Sequence, residues 1–534
     1  MSGKSNRPIV EELKHTLCSR KLSRRAFIEK AAAAGVSLTV AQSIWNKAQA
    51  AAPKSGGTAR FGLHDSNTSD TLDPALSNSE FTVELGYAMR SCLTEVLPDG
   101  SVIGELASGW EASPDAKVWT FELQKGAEFH NGKAVTAQDV VDSINYHRGE
   151  ESKSGGKALV SSVESVKADG NAVVITSNVG NADLPYALSA FQFQVCPSDG
   201  NGNLDLSGVG TGPYVLQEFE PGVRAELTKN PNYFKEGRAH FDAVQFIALN
   251  DANARNNALV TGEVDVISDV DLSTVNFLKK IDSVVIDEVA SGAHATMPMH
   301  ANTAPFDNND VRMAMKFAID REKALKLALK GHGTIGNDQP IGPSMPYYAE
   351  LEQRQYDPDK AKYHLKKAGL LSLPVSLSAA DAAFGGAVDL AVIYKESAAA
   401  AGIDVNLVRE PNDGYWSNVW MKKPFSVSTW SARPTPDVMF TIAYKGGGDW
   451  NESFWSNEKF DAILAEAKGE LDQKKRAEMY AEMQMIVRDE GSAIIPFFRN
   501  RVSARSNKVA HSGSLSGSSP LDGSRAAERW WFAG

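Results

Sequence analysis

The chain has 534 residues, of which 42% are hydrophobic and 23% charged, and its 55 basic and 66 acidic residues give a formal net charge of −11. The acidic balance argues against a nucleic-acid-binding protein, because binding to phosphates needs concentrated positive charge. No apolar run reaches the roughly 18 residues that a membrane span needs, and the length predicts about three domains.

The first fifty residues match a twin-arginine export signal. Residues 23–30 contain the arginine pair Arg24 and Arg25 and, after it, the phenylalanine and lysine of the pattern. A weakly apolar run follows, and the small-x-small triplet that ends at Ala50 predicts cleavage there. A basic amphipathic helix is the alternative, but it does not explain three signals in the order of a leader. The sequence therefore predicts a protein exported to the periplasm.

Three cysteines occur, Cys18 in the predicted leader and Cys92 and Cys196 beyond it. None has the spacing of an iron–sulfur, haem or redox motif, so we expect no cofactor and no redox enzyme. In an oxidising compartment Cys92 and Cys196 can form a disulfide. Two separate buried thiols are the alternative, because sequence alone does not fix the bond geometry.

Beyond the predicted leader, strands and helices alternate along the chain. Residues 58–63 and 119–123 alternate apolar and polar side chains, which predicts strands. Asn131 and Gly132 mark a tight turn, and Thr136 supplies the capping hydroxyl of a helix start. Apolar positions at helical spacing predict further helices at residues 310–318, 460–471 and 479–487. Pro358 near the start and Gly369 at the end predict another at residues 356–368. This alternation predicts an α/β fold.

Motifs that carry chemistry are scarce. Residues 208–212 are rich in glycine but lack the lysine of a phosphate-binding loop, and Pro213 follows them, so they predict a turn. The ten histidines show no metal-site spacing, and no hydrolase motif occurs. We therefore expect no catalytic residues and no metal site. The serine-rich residues 512–519 predict a loose surface loop.

Tryptophans are concentrated in residues 413–455, which hold five of the ten. Aromatic faces with a few charged groups are typical of a pocket for a small organic ligand, although such side chains also fill protein cores. Arg433 lies in a loop before Pro434 and can hold a ligand carboxylate, or pair with a nearby acid such as Asp437. The candidate ligand-binding residues are Trp416, Trp430, Arg433, Asp437, Asp449, Trp450 and Asn451.

Ten short motifs follow one another in order along the chain. They include Leu72-Asp73-Pro74, Leu106-Ala107-Ser108-Gly109-Trp110, Phe129-His130-Asn131-Gly132, Gly210-Thr211-Gly212-Pro213-Tyr214, Asn230-Pro231-Asn232-Tyr233, Gly262-Glu263-Val264-Asp265, Ala318-Ile319-Asp320-Arg321 and Tyr356-Asp357-Pro358. With these motifs, nearly all of the chain after the leader resembles the extracellular solute-binding proteins of the dipeptide, oligopeptide and nickel ABC importers, family 5.

The resemblance implies an α/β fold like that of the large periplasmic binding proteins, with two lobes that close on a ligand and an extra α/β domain. It implies a monomeric receptor that delivers a captured peptide to the permease domains of an ABC importer, and not an enzyme. Cys92 and Cys196 then lie near the junction of the first lobe and the extra domain, which favours the disulfide. The expected boundaries are 51–91, 192–290 and 500–534 for the first lobe, 92–191 for the extra domain and 291–499 for the second lobe.

Arg433 departs from the family pattern. In peptide-binding relatives the matching position carries an acid that pairs with the amino terminus of the peptide, and a cation does not hold an ammonium group. Either Asp437 or Asp449 meets the amine, or the ligand offers an anion instead. The sequence thus predicts a receptor for a peptide or similar small molecule. The alternatives are a receptor for a non-peptide organic anion and a secreted enzyme that uses the same cleft.

Overall fold

The computed structural model describes residues 53–448 and 450–533. The predicted leader, with its arginine pair and cleavage site, lies outside these ranges, and so does Asp449. Across the described ranges, none of the helices is long and apolar enough to cross a membrane.

Strands and helices alternate through the described residues, as the sequence predicted. The strands are β1 (Thr58–Leu63), β2 (Thr94–Val96), β3 (Val102–Gly104), β4 (Ala107–Ala112), β5 (Val118–Leu123), β6 (Val163–Asp169), β7 (Ala172–Ser177), β8 (Tyr214–Glu220), β9 (Arg224–Lys229), β10 (Ala243–Ala248), β11 (Val266–Ile267), β12 (Val284–Val289), β13 (His294–Pro298), β14 (Gly333–Ile335), β15 (Leu373–Ala379), β16 (Ile403–Arg409), β17 (Ser428–Trp430), β18 (Ala493–Ile494), β19 (Phe497–Arg499), β20 (Arg501–Ser506), β21 (Val509–Ala510) and β22 (Trp531–Phe532). The α-helices are α1 (Glu80–Met89), α2 (Ala137–Tyr146), α3 (Leu184–Ala187), α4 (Ala252–Thr261), α5 (Val275–Leu278), α6 (Asn309–Phe317), α7 (Arg321–Ala328), α8 (Pro358–Lys367), α9 (Ala387–Ala399), α10 (Tyr415–Asn418), α11 (Pro436–Ala443), α12 (Glu458–Ala467), α13 (Gln473–Glu490), α14 (Pro520–Ser524) and α15 (Ala526–Arg529).

A seven-stranded sheet has the order β12-β20-β11-β1-β10-β9-β8. Strand β1 runs parallel to β10 and β11, and the other neighbours are antiparallel. Side chains alternate along β1, and Ala59, Phe61 and Leu63 are fully buried. They share a core with Phe81 of α1 and with Trp530, so the C-terminal part of the chain packs beside its first strand.

A five-stranded sheet has the order β14-β19-β13-β17, with β18 also paired to β13. Its core includes residues from α6, α7, α8 and α9 and from the parallel pair β15-β16. The four helices predicted here from the sequence are α6, α8, α12 and α13. Helix α13 begins earlier than its apolar stripe, because the side chain of Asp472 accepts hydrogen bonds from the backbone N–H groups of Lys474 and Lys475.

A four-stranded antiparallel sheet has the order β4-β5-β7-β6. The predicted strand at residues 119–123 is β5, in which Trp119, Phe121 and Leu123 are buried. The predicted helix start is a capping box: Thr136 Oγ1 accepts from the N–H of Asp139, and the Asp139 carboxylate accepts from the N–H of Thr136 at 2.9 Å.

Two chain crossings join the seven-stranded sheet to the five-stranded sheet. The first runs from β12 to β13 through residues 290–293, and the second runs from β19 to β20 through Asn500. The crossings bond to each other: the N–H of Arg499 donates to the carbonyl of Ala293 at 2.7 Å, and Ser291 Oγ donates to the carbonyl of Arg499 at 2.9 Å. Residues near the crossings therefore border both sheets.

Cys92 and Cys196 are free, buried thiols, so the structure has the alternative of two separate thiols and not the possible disulfide. Cys92 Sγ lies 3.5 Å from the carbonyl oxygen of Ala190, and Cys196 Sγ lies 3.9 Å from that of Gln194. The two thiols are directed at the carbonyl groups of different residues, Ala190 and Gln194, and not at each other. Desolvation by burial raises the pKa of both thiols, which keeps them protonated at neutral pH.

Candidate ligand-binding cleft

A cavity of about 480 Å³ lies between the seven-stranded and five-stranded sheets. Residues 269–273 and strand β20 line it on one side, and the end of α7, the start of α9 and Arg499 line it on the other. Its volume is in the range of small-molecule pockets, roughly 300–1,000 Å³. The cavity therefore lies where a cleft between two lobes would receive a solute.

Part of the serine-rich segment forms a wall of this cavity. The prediction of a loose surface loop fits the exposed residues 512–514, but it is wrong for Ser516, which is buried. Gly517 permits a close approach, since a Cβ atom there would lie 2.0 Å from the carbonyl oxygen of Ala290. The segment thus packs directly against the first crossing, and this contact holds the cavity wall in place.

Two arginines of the second crossing line the cavity without ion pairs to any described acid. Arg499 donates from Nη2 to Thr429 Oγ1 at 2.9 Å, and its guanidinium lies 5.2 Å from the ring centroid of Phe384. The Nε atoms of Arg499 and Arg501 are buried and have no hydrogen-bond partner in the described part of the chain. Desolvation, and then the charge of Arg501, lower the pKa of Arg499 to about 10, so it remains a cation at neutral pH.

The acids around the cavity have other partners. Asp522 accepts from Arg529 Nη1 at 3.1 Å, and Asp389 lies 3.8 Å from Lys330 Nζ. Asp269 is mostly exposed, and its charge acts on Arg499 and Arg501 without an ion pair to either. The cavity therefore presents positive charge that the described acids do not neutralise through contact.

Four of the five tryptophans in residues 413–455 lie in a row, here called the aromatic ladder: Trp416, Trp420, Trp450 and Trp430. Consecutive ring centroids along the ladder are 6.0, 6.2 and 6.2 Å apart. Trp416 is 45% exposed and Trp450 is 50% exposed, whereas Trp430 is buried. The guanidinium of Arg433 lies 5.5 Å from the Trp430 ring centroid at the buried end of the ladder. The ladder thus combines exposed aromatic faces with one cation, in the geometry of a cation–π contact.

Two other candidate residues, Asp437 and Asn451, are not part of the aromatic ladder. Asp437 is buried, and desolvation followed by the charge of Asp183 raises its pKa to about 6. No ion pair joins Asp437 to Arg433 in the described chain, so of the two alternatives for Arg433 the pairing with Asp437 is not the one formed in this structure. Asn451 is buried and its Nδ2 donates to three carbonyls, those of Tyr444, Lys445 and Trp455. Asn451 therefore stabilises a turn.

Glu452 holds the ladder in place. Its buried carboxylate accepts hydrogen bonds from Trp420 Nε1 at 2.6 Å, from Trp430 Nε1 at 3.0 Å and from Thr296 Oγ1 at 2.6 Å. Glu452 was not among the residues predicted from the sequence, although it lies inside the tryptophan-rich segment. That segment holds four acids, Asp413, Asp437, Asp449 and Glu452, of which Glu452 is the one glutamate. The signal that an acid there would serve the indoles is that a buried indole N–H needs an acceptor.

We expect Glu452→Gln to destabilise the protein by about 2–3 kcal/mol, since the amide cannot accept from all three donors and leaves a buried donor unpaired. Chemical denaturation followed by tryptophan fluorescence measures the change. Glu466→Gln, on an exposed face of α12, is the matched control and should stay within about 0.5 kcal/mol of wild type. Equal stabilities for the two variants would contradict the role of Glu452.

His294 connects the ladder to the cavity. In the antiparallel sheet it is paired with Trp430 on one neighbouring strand and with Phe498 on the other. Burial and the charges of Arg499 and Arg433 together lower the pKa of His294 to about 4, against the hydrogen bond with the Gly292 carbonyl, which raises it. The imidazole is therefore neutral, and Arg499 in the cavity wall and Arg433 at the end of the ladder both act on this buried side chain.

Among the described residues, no three His, Cys, Asp or Glu side chains come together in a group that could hold a metal ion. Arg499 and Arg501 were absent from the sequence-based candidates. The sequence carries no local signal for them, because Arg499 ends one strand and Arg501 begins another strand of a different sheet.

A family model of bacterial extracellular solute-binding proteins, family 5 middle, matches residues 101–452. The chain belongs to this family. The family resemblance and the fold class predicted from the sequence are both confirmed, and the protein is a solute-binding receptor with the fold of the two-lobed periplasmic binding proteins.

Several relatives align with most of the chain. The probable D,D-dipeptide-binding periplasmic protein DdpA of Escherichia coli K12 is 27% identical over 82% of this chain and 88% of its own length. The glutathione-binding protein GsiB of Pectobacterium atrosepticum is 24% identical over 83% of this chain and 89% of its own. The periplasmic binding protein DppA of Helicobacter pylori, solved with the peptide STSA, has a TM-score of 0.72 and 23% identity, and covers 90% of this chain and 99% of its own.

AgaA of A. tumefaciens R10, solved with agropinic acid, also has a TM-score of 0.72 with 23% identity. The alignment covers 89% of this chain and 99% of that one. Both structural likenesses are likenesses of fold.

Proposed function

We propose that this family 5 receptor serves an ABC importer from the periplasm and captures a small solute that carries a carboxylate, either a peptide or an organic anion. The observation that carries the proposal is three arginines, Arg499 and Arg501 in the cavity wall and Arg433 at the buried end of the ladder, none of which pairs with a described acid. Charged hydrogen-bond donors in a partly desolvated site favour an anionic partner.

The names of the relatives support a carboxylate-bearing solute. A dipeptide, glutathione, agropinic acid and the peptide STSA are named for four of them, and each of these molecules carries at least one carboxylate. In the proposed complex Arg433 orients such a group, while Trp416 and Trp450 contact the apolar part of the solute. Asp437 takes no part, because it is buried and forms no ion pair with Arg433 in the described chain.

We also propose how the protein is exported and which sheet belongs to which lobe. The protein is exported through its twin-arginine leader, is cleaved after Ala50 and acts as a monomer. Its first lobe contains the seven-stranded sheet, its second lobe the five-stranded sheet and its extra domain the four-stranded sheet, with the boundaries predicted from the sequence. Closure of the two lobes about the crossings buries the solute for delivery to the permease.

A thermal-shift screen tests this function, because a ligand that binds the folded state raises its stability. The panel contains the peptide Ser-Thr-Ser-Ala, its C-terminal amide, glutathione, agropinic acid and neutral maltose. We expect stabilisation by at least one carboxylate, a loss of that stabilisation on amidation, and recovery of the compound unchanged by mass spectrometry. Stabilisation by maltose or by the amide alone would contradict an anion receptor.

Arg433→Gln should weaken binding of the best carboxylate in that screen by at least about 30-fold, since removing one partner of a desolvated charge pair costs about 2–5 kcal/mol. Isothermal titration calorimetry measures the change. The control is Arg409→Gln, which removes an exposed arginine at the end of β16 and should leave affinity within twofold. Affinity within twofold of wild type in Arg433→Gln would remove Arg433 from the site.

A further inference from the structure

We propose that Arg499 and Arg501 together form a carboxylate-binding subsite at the junction of the two sheets, separate from Arg433. This inference deepens the proposed function, on which it rests, by assigning a second anionic group to the solute. It predicts a ligand with at least two carboxylates, or one carboxylate and another oxyanion, rather than a simple monoanion.

The backbone directs both arginines to the same place. Arg499 ends β19 of the five-stranded sheet, Arg501 begins β20 of the seven-stranded sheet, and both side chains line the cavity. Both side chains reach the cavity because the chain passes from one sheet to the other beside it. Asn500, between them, is fixed because its Nδ2 donates to Glu288 Oε1 at 2.7 Å. The two guanidinium groups are thus held together by a restrained segment.

The electrostatics of the pair favour an anion. Burial lowers the pKa of both arginines, and the charge of Arg501 lowers that of Arg499 further, so each cation destabilises the other. Glu80 and Asp269 act on Arg501 in the opposite sense, but neither forms an ion pair with it in the described chain. Glu80 lies 2.8 Å from His64 Nδ1 instead. An anion between the arginines relieves this repulsion and meets the unpartnered Nε atoms.

The subsite also couples binding to the arrangement of the sheets. Because Arg499 belongs to one sheet and Arg501 to the other, a carboxylate held by both connects the two sheets across the second crossing. The arrangement that brings the guanidinium groups together is then favoured when the anion is bound.

The test uses glutarate as the probe and glutaramide, which has a similar shape but no charge, as its neutral analogue. We expect glutarate to bind the full-length wild-type protein in calorimetry and glutaramide not to bind. Arg499→Gln and Arg501→Gln should each weaken glutarate binding at least tenfold, and Arg501→Lys, which keeps the charge but loses the fork of donors, should weaken it less.

Arg409→Gln is the matched control, because Arg409 is an exposed arginine at the end of β16 and is not among the residues that line the cavity. Its affinity should stay within twofold of wild type. Near-UV circular dichroism verifies that each variant is folded. If a glutamine variant does not fold, the test relies on the affinity of Arg501→Lys for glutarate.

Three results would overturn the subsite: equal glutarate affinity in wild type and in the variants of Arg499 and Arg501, an equal loss in Arg409→Gln, or no glutarate binding by the wild type. If the wild type does not bind glutarate, the proposed function is still tested separately by the thermal-shift panel. There, stabilisation by a peptide with one carboxylate is enough to support the proposed function. Failure of the subsite and failure of the proposed function are therefore distinguishable.

Discussion

Replacing Asp338 with asparagine will lower the free energy of unfolding by about 3–5 kcal/mol at pH 7, because it leaves buried cations without their counter-charge. Asp338 is fully buried after β14. Its carboxylate accepts from Arg321 Nη2 at 2.7 and 2.6 Å, from Arg354 Nη1, and from the backbone N–H of Ile495 at 2.9 Å. One side chain thus joins α7, the segment before α8 and the β18–β19 connection behind the five-stranded sheet.

The same carboxylate predicts how stability depends on pH. Burial alone would raise the pKa of Asp338, but the charges of Arg321, Arg354 and Lys316 outweigh it and hold the pKa at about 2. The unfolded-state pKa is about 3.9, so the paired carboxylate contributes roughly 2–3 kcal/mol above that pH. This contribution is lost as the pH falls from about 4 towards 2. The difference between wild type and Asp338→Asn should shrink over the same interval.

Urea denaturation at pH 7, 4 and 3 measures this difference. Asp359→Asn is the control, because Asp359 is an exposed acid whose ion pair with Lys362, at 3.4 Å, is on the surface. We expect that variant to stay within about 0.5–1 kcal/mol of wild type at every pH. If the free energies of unfolding of wild type and Asp338→Asn differ by the same amount at pH 7 and pH 3, the substitution does not act by removing the ion pairs of Asp338.

Local sequence patterns predict most of the secondary structure, because the alternation of β1 and the capping box of α2 depend on residues a few positions apart. The tryptophan ladder is predictable for the same reason, since its rings come from one segment of the chain. The position of Arg433 at the end of that ladder follows from its closeness to Trp430 in sequence.

The parts that the sequence did not predict depend on distant contacts. Arg499 and Arg501 line a cavity only because β19 and β20 belong to different sheets, and a pattern of two residues carries no information about sheet membership. The thiols of Cys92 and Cys196 lie in one region but are directed at different carbonyls, and side-chain direction is not visible in cysteine spacing. Ser516 is buried by the first crossing, although serine-rich composition is typical of exposed loops.

A buried charge network between the β2–β3 hairpin region and the C-terminal helix α15 gives the second large effect. Glu105 Oε1 accepts from Lys235 Nζ at 2.6 Å, and both of its oxygens accept from Arg525 at 2.8 Å. Lys235 and Arg525 also donate to Glu528, at 3.0 and 2.9 Å. Residues more than 400 positions apart are thereby joined in the interior, where a cation left unpaired is costly.

We expect Glu105→Gln to cost about 3–5 kcal/mol in the free energy of unfolding, because Lys235 and Arg525 lose a shared carboxylate while they remain buried. Glu218→Gln is the control: Glu218 pairs with Arg224 at 3.2 Å, and both side chains are about half exposed, so its loss should cost under about 1 kcal/mol. Urea denaturation compares the two variants with wild type.

Cys92 reports where the loss occurs, because its backbone N–H donates to Glu105 Oε2 at 2.9 Å and its thiol is buried. In a Cys18→Ala, Cys196→Ala background Cys92 is the remaining cysteine, and Glu105→Gln should speed its reaction with a disulfide reagent under native conditions at least tenfold. Glu218→Gln should leave the rate unchanged. If the hairpin region opens locally, Cys92 is exposed before the whole protein unfolds. A large loss of stability without faster labelling of Cys92 would therefore contradict a local role. It would mean that the network stabilises the whole fold but does not hold the hairpin region against the C-terminal helix.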